Sequence, residues 1–293
     1  TVTAPNTSTD RTITLPDATG TLLNSDGDGS NLTNLPSTSA ADIRSAVTLQ
    51  ITADNNIGLG SGAVDSITTG DHNVGIGVSA LTANTTGTGN VAVGRKAMLD
   101  HSTGSYNTAI GISALENNTT ASDNTSIGKS SLKTNTTGAN NTAVGSEALN
   151  ANITGERNTG VGKQALSLNT TGYQNSTLGF QAGYAVTTGF KNVMVGDNSG
   201  SANTTGYHNV FVGRGAGVGN LTGNSNTCIG YQAGDGITTG DNNIIIGENV
   251  ATPGAATGSD QISIGGSFMQ LSDGSITLRP GAEVQNTWTL NQN

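Results

Sequence analysis

An asparagine recurs every 17 residues along most of the chain, twelve times from Asn56 to Asn243, without an insertion or a deletion. A glycine follows each asparagine four residues later. Self-similarity at a fixed period indicates a stacked repeat, in which each unit contacts only its neighbours. We number each 17-residue unit, or coil, from its asparagine as position 1. We predict that positions 1 and 5 form a structural ladder along the stack. In six consecutive coils these residues are Asn73, Gly77, Asn90, Gly94, Asn107, Gly111, Asn124, Gly128, Asn141, Gly145, Asn158 and Gly162.

The first residues of each coil are typical of a β-strand. Position 4 is always Val, Ile or Leu, and position 2 is usually Val, Ile or Thr. Such alternation over a short stretch is a strand signal. Glycine at position 5 and the Thr-Thr-Gly segment favour turns, because glycine adopts positive φ at little cost. We predict two short strands and two turns in each coil, with coils stacked about 4.8 Å apart.

Composition agrees with a thin stacked structure and disagrees with a packed globule. Aromatic residues make up 3% of the chain and charged residues 11%, whereas about 25% of an average protein is charged. Disordered chains usually carry more charge and more proline than this one. The sequence therefore predicts an all-β fold, a parallel β-solenoid (β-roll), with a core of small and β-branched side chains.

Charge, cysteine content and hydropathy exclude several classes of partner. With a net charge of −9 and 11 Lys and Arg residues, the chain lacks the basic surface that binding to nucleic acid phosphates needs. The single cysteine, Cys228, excludes an internal disulfide and a four-cysteine zinc site within one chain. No apolar run approaches the roughly 20 residues of a membrane span. We expect no nucleic acid, no membrane insertion and no cofactor.

Two positions of the coil vary together. In the first seven coils position 9 is large, as in Leu115, and position 3 is small, as in Ala109. In later coils position 9 becomes glycine, as in Gly200, and position 3 becomes large, as in Phe211. A swap that conserves volume is expected of residues that fill one layer of a close-packed interior. We infer that positions 3 and 9 meet. The alternative is that two sub-families of repeat were joined without such a contact.

The repeat resembles those of two groups of fibrous surface proteins. Residues 70–77, Gly-Asp-His-Asn-Val-Gly-Ile-Gly, and residues 240–247, Gly-Asp-Asn-Asn-Ile-Ile-Ile-Gly, resemble the head repeat of YadA-like trimeric autotransporter adhesins. The Asn-Thr-Ala-Val-Gly type of repeat, with an Asn-Thr-Thr-Gly turn, is similar to that of bacteriophage tail fibres. The resemblance covers about residues 51–265 and implies a left-handed parallel β-roll in which three chains pack around one axis. The adhesin repeat is typically shorter, so its cross-section and its contacts between chains are not carried over.

The chain divides into three regions. Residues 1–50 are an N-terminal β segment and linker, with a short helix expected near residues 40–47, and residues 51–265 are the solenoid. Residues 266–293 are a C-terminal cap for the last coil, alone or combined with receptor contact. Residues 11–22, Arg-Thr-Ile-Thr-Leu-Pro-Asp-Ala-Thr-Gly-Thr-Leu, resemble segments common in phage tail-fibre proteins. That resemblance favours an extracellular virion tail fibre over a protein of the bacterial cell surface.

Four motifs suggest chemistry, and each has a simpler structural interpretation. Residues 24–29 match the first half of a calcium loop, but Leu35 stands where a bidentate glutamate is needed, which favours a plain acidic turn. Residues 213–217, Gly-Arg-Gly-Ala-Gly, lie within the repeat frame with no helix pattern after them, unlike a phosphate-binding loop. Asp54 and Asp71 occupy one repeat position in adjacent coils, about 5 Å apart, but no sugar-binding cluster accompanies them for glycoside hydrolysis. Threonine rows occur in ice-binding solenoids, but only one such row is expected here.

We predict a non-enzymatic homotrimer that forms the shaft, or the distal part, of a phage tail fibre and mediates host-cell attachment. Its expected partners are its own copies, other virion tail proteins, and a glycan or protein on the host surface. Aromatic residues at variable positions are candidate receptor contacts, because exposed rings can stack on glycans; alternatively they cover a neighbouring chain. These residues are Tyr106, Tyr173, Phe190, Tyr207 and Tyr231. The alternative function is a bacterial trimeric surface adhesin or another extracellular filament subunit.

Overall fold

The structure, a computed structural model, describes residues 49–51, 55–250 and 256–265. Several sequence predictions lie outside these residues. They are the N-terminal β segment, the calcium-loop motif, the short helix, the C-terminal cap and the position of Asp54.

Every regular element of the described residues is a three-residue β-strand, and no helix occurs among them. The strands form one 14-stranded sheet in sequence order, in which β1 pairs with β2 in antiparallel orientation and all other neighbours are parallel. The strands are β1 (Leu49–Ile51), β2 (Ile57–Leu59), β3 (Val74–Ile76), β4 (Val91–Val93), β5 (Thr108–Ile110), β6 (Thr125–Ile127), β7 (Thr142–Val144), β8 (Thr159–Val161), β9 (Ser176–Leu178), β10 (Val193–Val195), β11 (Val210–Val212), β12 (Thr227–Ile229), β13 (Ile244–Ile246) and β14 (Ile262–Ile264).

Equivalent positions of successive coils pair with one another in the sheet. Val91 of β4, for example, pairs with Thr108 of β5, 17 residues later. The offset is 18 residues between β13 and β14, where Ile244 pairs with Ile262. The prediction of an all-β parallel solenoid with a 17-residue period is therefore confirmed.

The prediction of two strands in each coil is wrong, because each coil has only one. In the coil that begins at Asn107, Ser113, Leu115 and Asp123 have φ values of 56°, 50° and 60°. Left-handed backbone at these three positions cannot continue an extended strand. Hydrogen bonds still join the turns of successive coils, as where the Leu115 N–H donates to the Ser131 carbonyl at 3.1 Å.

The core is a thin column to which positions 3, 8 and 9 of each coil contribute. Ala109, Ala114 and Leu115, at these positions of one coil, are fully buried. A Cβ atom on Gly75, at position 3, would lie 2.9 Å from Cγ1 of Val64, at position 9 of the preceding coil. The inference that positions 3 and 9 meet is therefore confirmed.

The side chains at positions 2 and 4 of each coil, which are the first and last residues of its strand, face away from this core. In β5, Ala109 is buried, whereas Thr108 is half-buried and Ile110 is exposed. The same arrangement recurs from β2 to β13. The middle residue of the strand is thus the inward one, whether it is small as in β5 or large as in β11, and positions 2 and 4 form the outer face of the sheet.

Candidate functional site

The asparagines at position 1 are fully buried and hydrogen-bonded to one another. The Asn90 Oδ1 atom accepts from the backbone N–H of Asn107 at 3.0 Å and from its Nδ2 at 3.1 Å. The Asn90 Nδ2 atom donates to the Gly104 carbonyl at 3.0 Å. Burial without such partners would be costly for an amide. The same Oδ1 contact joins the asparagines of the predicted ladder, Asn73, Asn90, Asn107, Asn124, Asn141 and Asn158.

The glycines at position 5 let the backbones of successive coils touch. A Cβ atom on Gly77, where φ is 130°, would lie 2.7 Å from the carbonyl carbon of Gly94. That separation is too short for a side chain, and the φ value also favours glycine. The remaining glycines of the predicted ladder, with φ between 133° and 139°, are Gly94, Gly111, Gly128, Gly145 and Gly162. Positions 1 and 5 therefore have structural roles.

Sequence reasoning missed a second buried asparagine ladder, at position 12. The Nδ2 atom of Asn135 donates to Asn118 Oδ1 at 2.8 Å. His101 takes the asparagine's place in one coil, and Asn118 Nδ2 donates to its Nδ1 at 2.8 Å. Val186 and Ile237 interrupt the ladder further along. The recurrence of Asn-x-Thr in most coils was the available signal, and these interruptions obscured it.

The buried titratable groups are in unreactive states at neutral pH. Burial lowers the pKa of His101 below its ordinary value, while its contacts with Gly104 and Asn118 act in the opposite direction. Its Nε2 atom donates to the Gly104 carbonyl at 2.8 Å, which suits a neutral imidazole. Burial raises the pKa of the Cys228 thiol to about 12. Neither group is placed to react with a ligand at the surface.

Asp71 has surroundings unlike those of a glycosidase acid. A hydrogen bond from the Thr88 side chain lowers the pKa of its carboxyl group, and the neighbouring His72 lowers it further. The His72 Nδ1 atom lies 3.1 Å from the carboxylate. A general acid in glycoside hydrolysis needs a raised pKa instead.

Two of the five candidate receptor residues stand apart from the others. Tyr106, at position 17 of its coil, is 67% exposed. Tyr231, at position 6, packs against Arg214, whose Nη1 atom donates to the tyrosine hydroxyl at 3.1 Å. The guanidinium carbon of Arg214 lies 5.5 Å from the ring centroid of Tyr231.

The other three candidate receptor residues form a stack, which we call the aromatic ladder: Tyr173, Phe190 and Tyr207. They occupy position 16 of three successive coils, so the spacing of the coils sets the spacing of the rings. Adjacent ring centroids are 4.8 Å apart, and the planes differ by 4° to 5°. His208 lies edge-on to both Phe190 and Tyr207, and the Lys191 ammonium lies 6.0 Å from the Phe190 centroid.

An open recess adjoins the Tyr173 end of the aromatic ladder. Its empty volume is about 380 Å³, part of which is open to solvent. Positions 14, 16 and 17 of two successive coils line it with hydroxyl, carboxylate, guanidinium, amide and phenol groups. The lining residues are Thr154, Glu156, Arg157, Thr171, Tyr173 and Gln174.

Within residues 55–250 and 256–265, no three His, Cys, Asp or Glu side chains are grouped so that they could hold a metal ion. None of the residues described by the structure belongs to a helix long and apolar enough to cross a membrane.

Neither the family models nor the curated proteins compared with this chain match it. The resemblance to YadA-like heads and to phage tail fibres therefore depends on the repeat residues. The structure supports the coarser part of that resemblance, because it is a parallel solenoid with a 17-residue period.

Proposed function

We propose that the chain forms the shaft of an extracellular attachment fibre, as a homotrimer whose three solenoids pack side by side. Each coil contributes one strand to a single sheet, so thirteen parallel strands give a rod about 60 Å long. A rod of this kind extends a binding surface away from its base, and three copies make its contacts multivalent.

The observation that carries this proposal is the outer face of the sheet. At positions 2 and 4, ten large apolar side chains are more than a third exposed: Ile57, Ile76, Ile110, Ile127, Leu178, Val193, Ile229, Ile244, Ile262 and Ile264. They extend along almost the whole sheet. Monomeric soluble proteins rarely leave an apolar patch larger than a few hundred Å² uncovered. In a trimer each chain turns this face towards the common axis, where the other two chains cover it.

The solution mass of the purified chain tests this assembly. Sedimentation combined with light scattering should give an elongated species of three times the 29.2 kDa chain mass. The variant Ile110→Lys/Ile127→Lys places two charges on paired residues of the outer face and should give monomers. The variant Thr120→Lys/Thr137→Lys, at exposed position 14 of the same coils, is the matched control and should stay trimeric. A monomeric wild-type chain would contradict the proposal.

We further propose that the fibre belongs to a phage tail, where it joins other virion tail proteins and binds a glycan or protein on the host surface. The support is the resemblance of residues 11–22 to phage tail-fibre segments. Gold-labelled antibody against the chain should decorate tails in a phage preparation. Labelling of bacterial envelopes alone would favour the alternative, a trimeric surface adhesin.

Attachment itself needs a separate measurement. Fluorescently labelled protein should bind saturably to the cells of at least one strain in a panel of Gram-positive and Gram-negative bacteria. Unlabelled protein should compete for the same sites. Retention by no strain would contradict an attachment role and leave a purely structural fibre.

A further inference from the structure

We propose that the recess beside Tyr173 binds one ring of a neutral saccharide. The exposed face of Tyr173 stacks on the C–H face of the sugar, and Glu156, Arg157 and Gln174 bind its hydroxyl groups. This inference rests on the proposed attachment function, and it assigns the chemistry of the ligand and the place where it binds.

The ring of Tyr173 has an aromatic neighbour on one side only. Phe190 covers the face towards the following coil at 4.8 Å. In the preceding coil, position 16 is Glu156, which has no ring, and both residues line the recess. Tyr173 is 40% exposed. An aromatic face with its apolar surface in water is a favourable surface for the C–H groups of a pyranose ring.

The polar side chains of the recess are suited to hydroxyl groups. Among the described residues no ion pair joins Glu156 or Arg157 to another side chain, and both residues are exposed. A carboxylate accepts from two hydroxyls, a guanidinium donates through a fixed fork, and an amide does both. The carboxylate and the guanidinium carry opposite charges, so the recess suits a neutral sugar better than a charged one.

The other end of the aromatic ladder lacks these features. Beyond Tyr207, position 16 is Asn224, whose Oδ1 atom accepts from the Tyr207 backbone N–H at 3.0 Å. The Asn224 Nδ2 atom donates to Asp241 at 3.0 Å. These polar groups are already paired with one another. Tyr207 is 36% exposed, close to the exposure of Tyr173. The two ends thus differ in their polar partners, and Tyr207 provides a matched control.

The ladder also gives a direction in which a longer saccharide can extend. Exposed threonines occupy position 14 beside each ring, at Thr171, Thr188 and Thr205. Their hydroxyls repeat with the spacing of the coils, and the 4.8 Å between ring centroids is similar to the length of one pyranose unit in an extended chain. Further sugars would follow this row of threonine hydroxyls.

Saturation-transfer NMR with free sugars tests the recess. The probes are the methyl glycosides of glucose, galactose, mannose and N-acetylglucosamine, each mixed with the purified full-length chain. At least one should receive saturation at its ring C–H protons, as expected for weak, millimolar binding. Tyr173→Ala should weaken that binding at least tenfold, and Arg157→Ala should weaken it several-fold. Tyr207→Ala and Tyr106→Ala should leave it unchanged.

Three outcomes with the purified protein would overturn the proposal. They are absence of transfer to every probe, an equal loss of transfer in Tyr207→Ala, and a fall in the mass of the assembly in Tyr173→Ala. The last result would assign the ring to a contact between chains. Binding to whole cells separates this site from the general function. If Tyr173→Ala still binds cells as the wild type does, attachment stands and the saccharide site fails.

Discussion

The seven coils that begin at residues 56 to 158 fill their core differently from the four that begin at residues 175 to 226. In the first group position 9 is Val, Leu or Met, with φ between 47° and 54°. In the second group the same position is glycine, with φ between 56° and 63°. The left-handed backbone at position 9 is therefore a feature of the path of the coil. It does not depend on which side chain stands there.

We infer from this difference that the two placements of the large side chain have similar free energies. A leucine in left-handed backbone costs roughly 1–2 kcal/mol, and burying its side chain stabilises by about 1.5–3 kcal/mol. The second group avoids the strained leucine and places its large residue on the strand instead, as in Phe211, where aromatic and β-branched residues fit well. Glycine at position 9 then costs chain entropy, about 0.5–1 kcal/mol.

The strictest test of whether the two placements have similar free energies is to convert one coil of the second group to the arrangement of the first group. Phe211→Ala should destabilise by about 3–5 kcal/mol, because it empties the layer. Gly217→Leu alone should also destabilise, since a Cβ atom there would lie 2.6 Å from the Phe211 ring. The double variant should recover at least half of the loss caused by Phe211→Ala. Hydrogen exchange of the amides in residues 192–230, with denaturant unfolding, measures the three free energies.

The recovery should be incomplete, because the new leucine adopts the strained left-handed backbone. Phe211→Ala combined with Thr222→Leu, at an exposed position, is the control and should recover nothing. If the costs of Phe211→Ala and Gly217→Leu simply add in the double variant, the two positions do not share a layer and the comparison of the two groups fails.

The asparagine at position 1 should be equally important in both groups. Asn124 accepts from the Asn141 N–H at 2.9 Å, and Asn226 accepts from the Asn243 N–H at 3.0 Å. Substitution of either by alanine leaves a buried N–H without an acceptor and should cost about 2 kcal/mol. Thermal unfolding of the two variants, with Thr137→Ala as an exposed control, compares the costs. A loss in one group that is twice the loss in the other would show that the groups differ in more than their apolar layer.

The sequence predicted the features that depend on the period. Twelve asparagines in register located the coils, and the covariation of positions 3 and 9 predicted a contact such as that between Gly75 and Val64. The period also accounts for the aromatic ladder, which we did not predict, since Tyr173, Phe190 and Tyr207 occupy one position in consecutive coils. The recess beside Tyr173 could not be predicted, because it depends on how the side chains of two coils lie against each other.

Two features were harder to predict, for physical reasons. They are the face of the strand that is buried and the backbone that follows the strand in each coil. Alternation in a strand shows that Thr108 and Ile110 share a face and leaves open whether that face is the inner one. Ala109 is the inward residue, and it is small because a large residue at position 9, such as Leu115, fills the rest of that layer. The second strand in each coil was predicted wrongly because left-handed residues such as Leu115 are not recognisable as such in the sequence, where leucine ordinarily avoids that backbone.

Acid should weaken the first group through His101. Its folded pKa lies below the unfolded value of 6.5, so above pH 6.5 both states are neutral and the histidine costs nothing. As pH falls below 6.5 the unfolded chain takes up a proton first, and stability falls by at most about 1.4 kcal/mol per pH unit. His101→Asn restores the asparagine ladder and should shrink the loss of melting temperature between pH 7.5 and 5.0. An equal acid response in wild type and His101→Asn would contradict this account.

Repair of the interrupted ladder at position 12 should produce the smallest effect. Where Val186 replaces asparagine, Asn169 Oδ1 has no hydrogen-bond partner, and the same holds for Asn220 Oδ1 before Ile237. In Val186→Asn the new amide can donate to Asn169 and to the Gly189 carbonyl, as Asn203 does to Gly206. We expect a change between zero and a gain of about 1 kcal/mol, although a buried Val→Asn substitution is ordinarily destabilising.

Val186→Thr is the matched control for that repair. It adds a polar group of similar volume that is too short to bridge the coils, so it should destabilise. Unfolding of both variants and of the wild type gives the comparison. If Val186→Asn loses as much stability as Val186→Thr, the missing asparagine at this position of the ladder does not determine the free energy of unfolding. Apolar packing would then explain why Val186 and Ile237 stand at position 12, as Ile67 does in the first coil. If the asparagine variant is as stable as the wild type, the two groups use interchangeable solutions at position 12 as well as at positions 3 and 9.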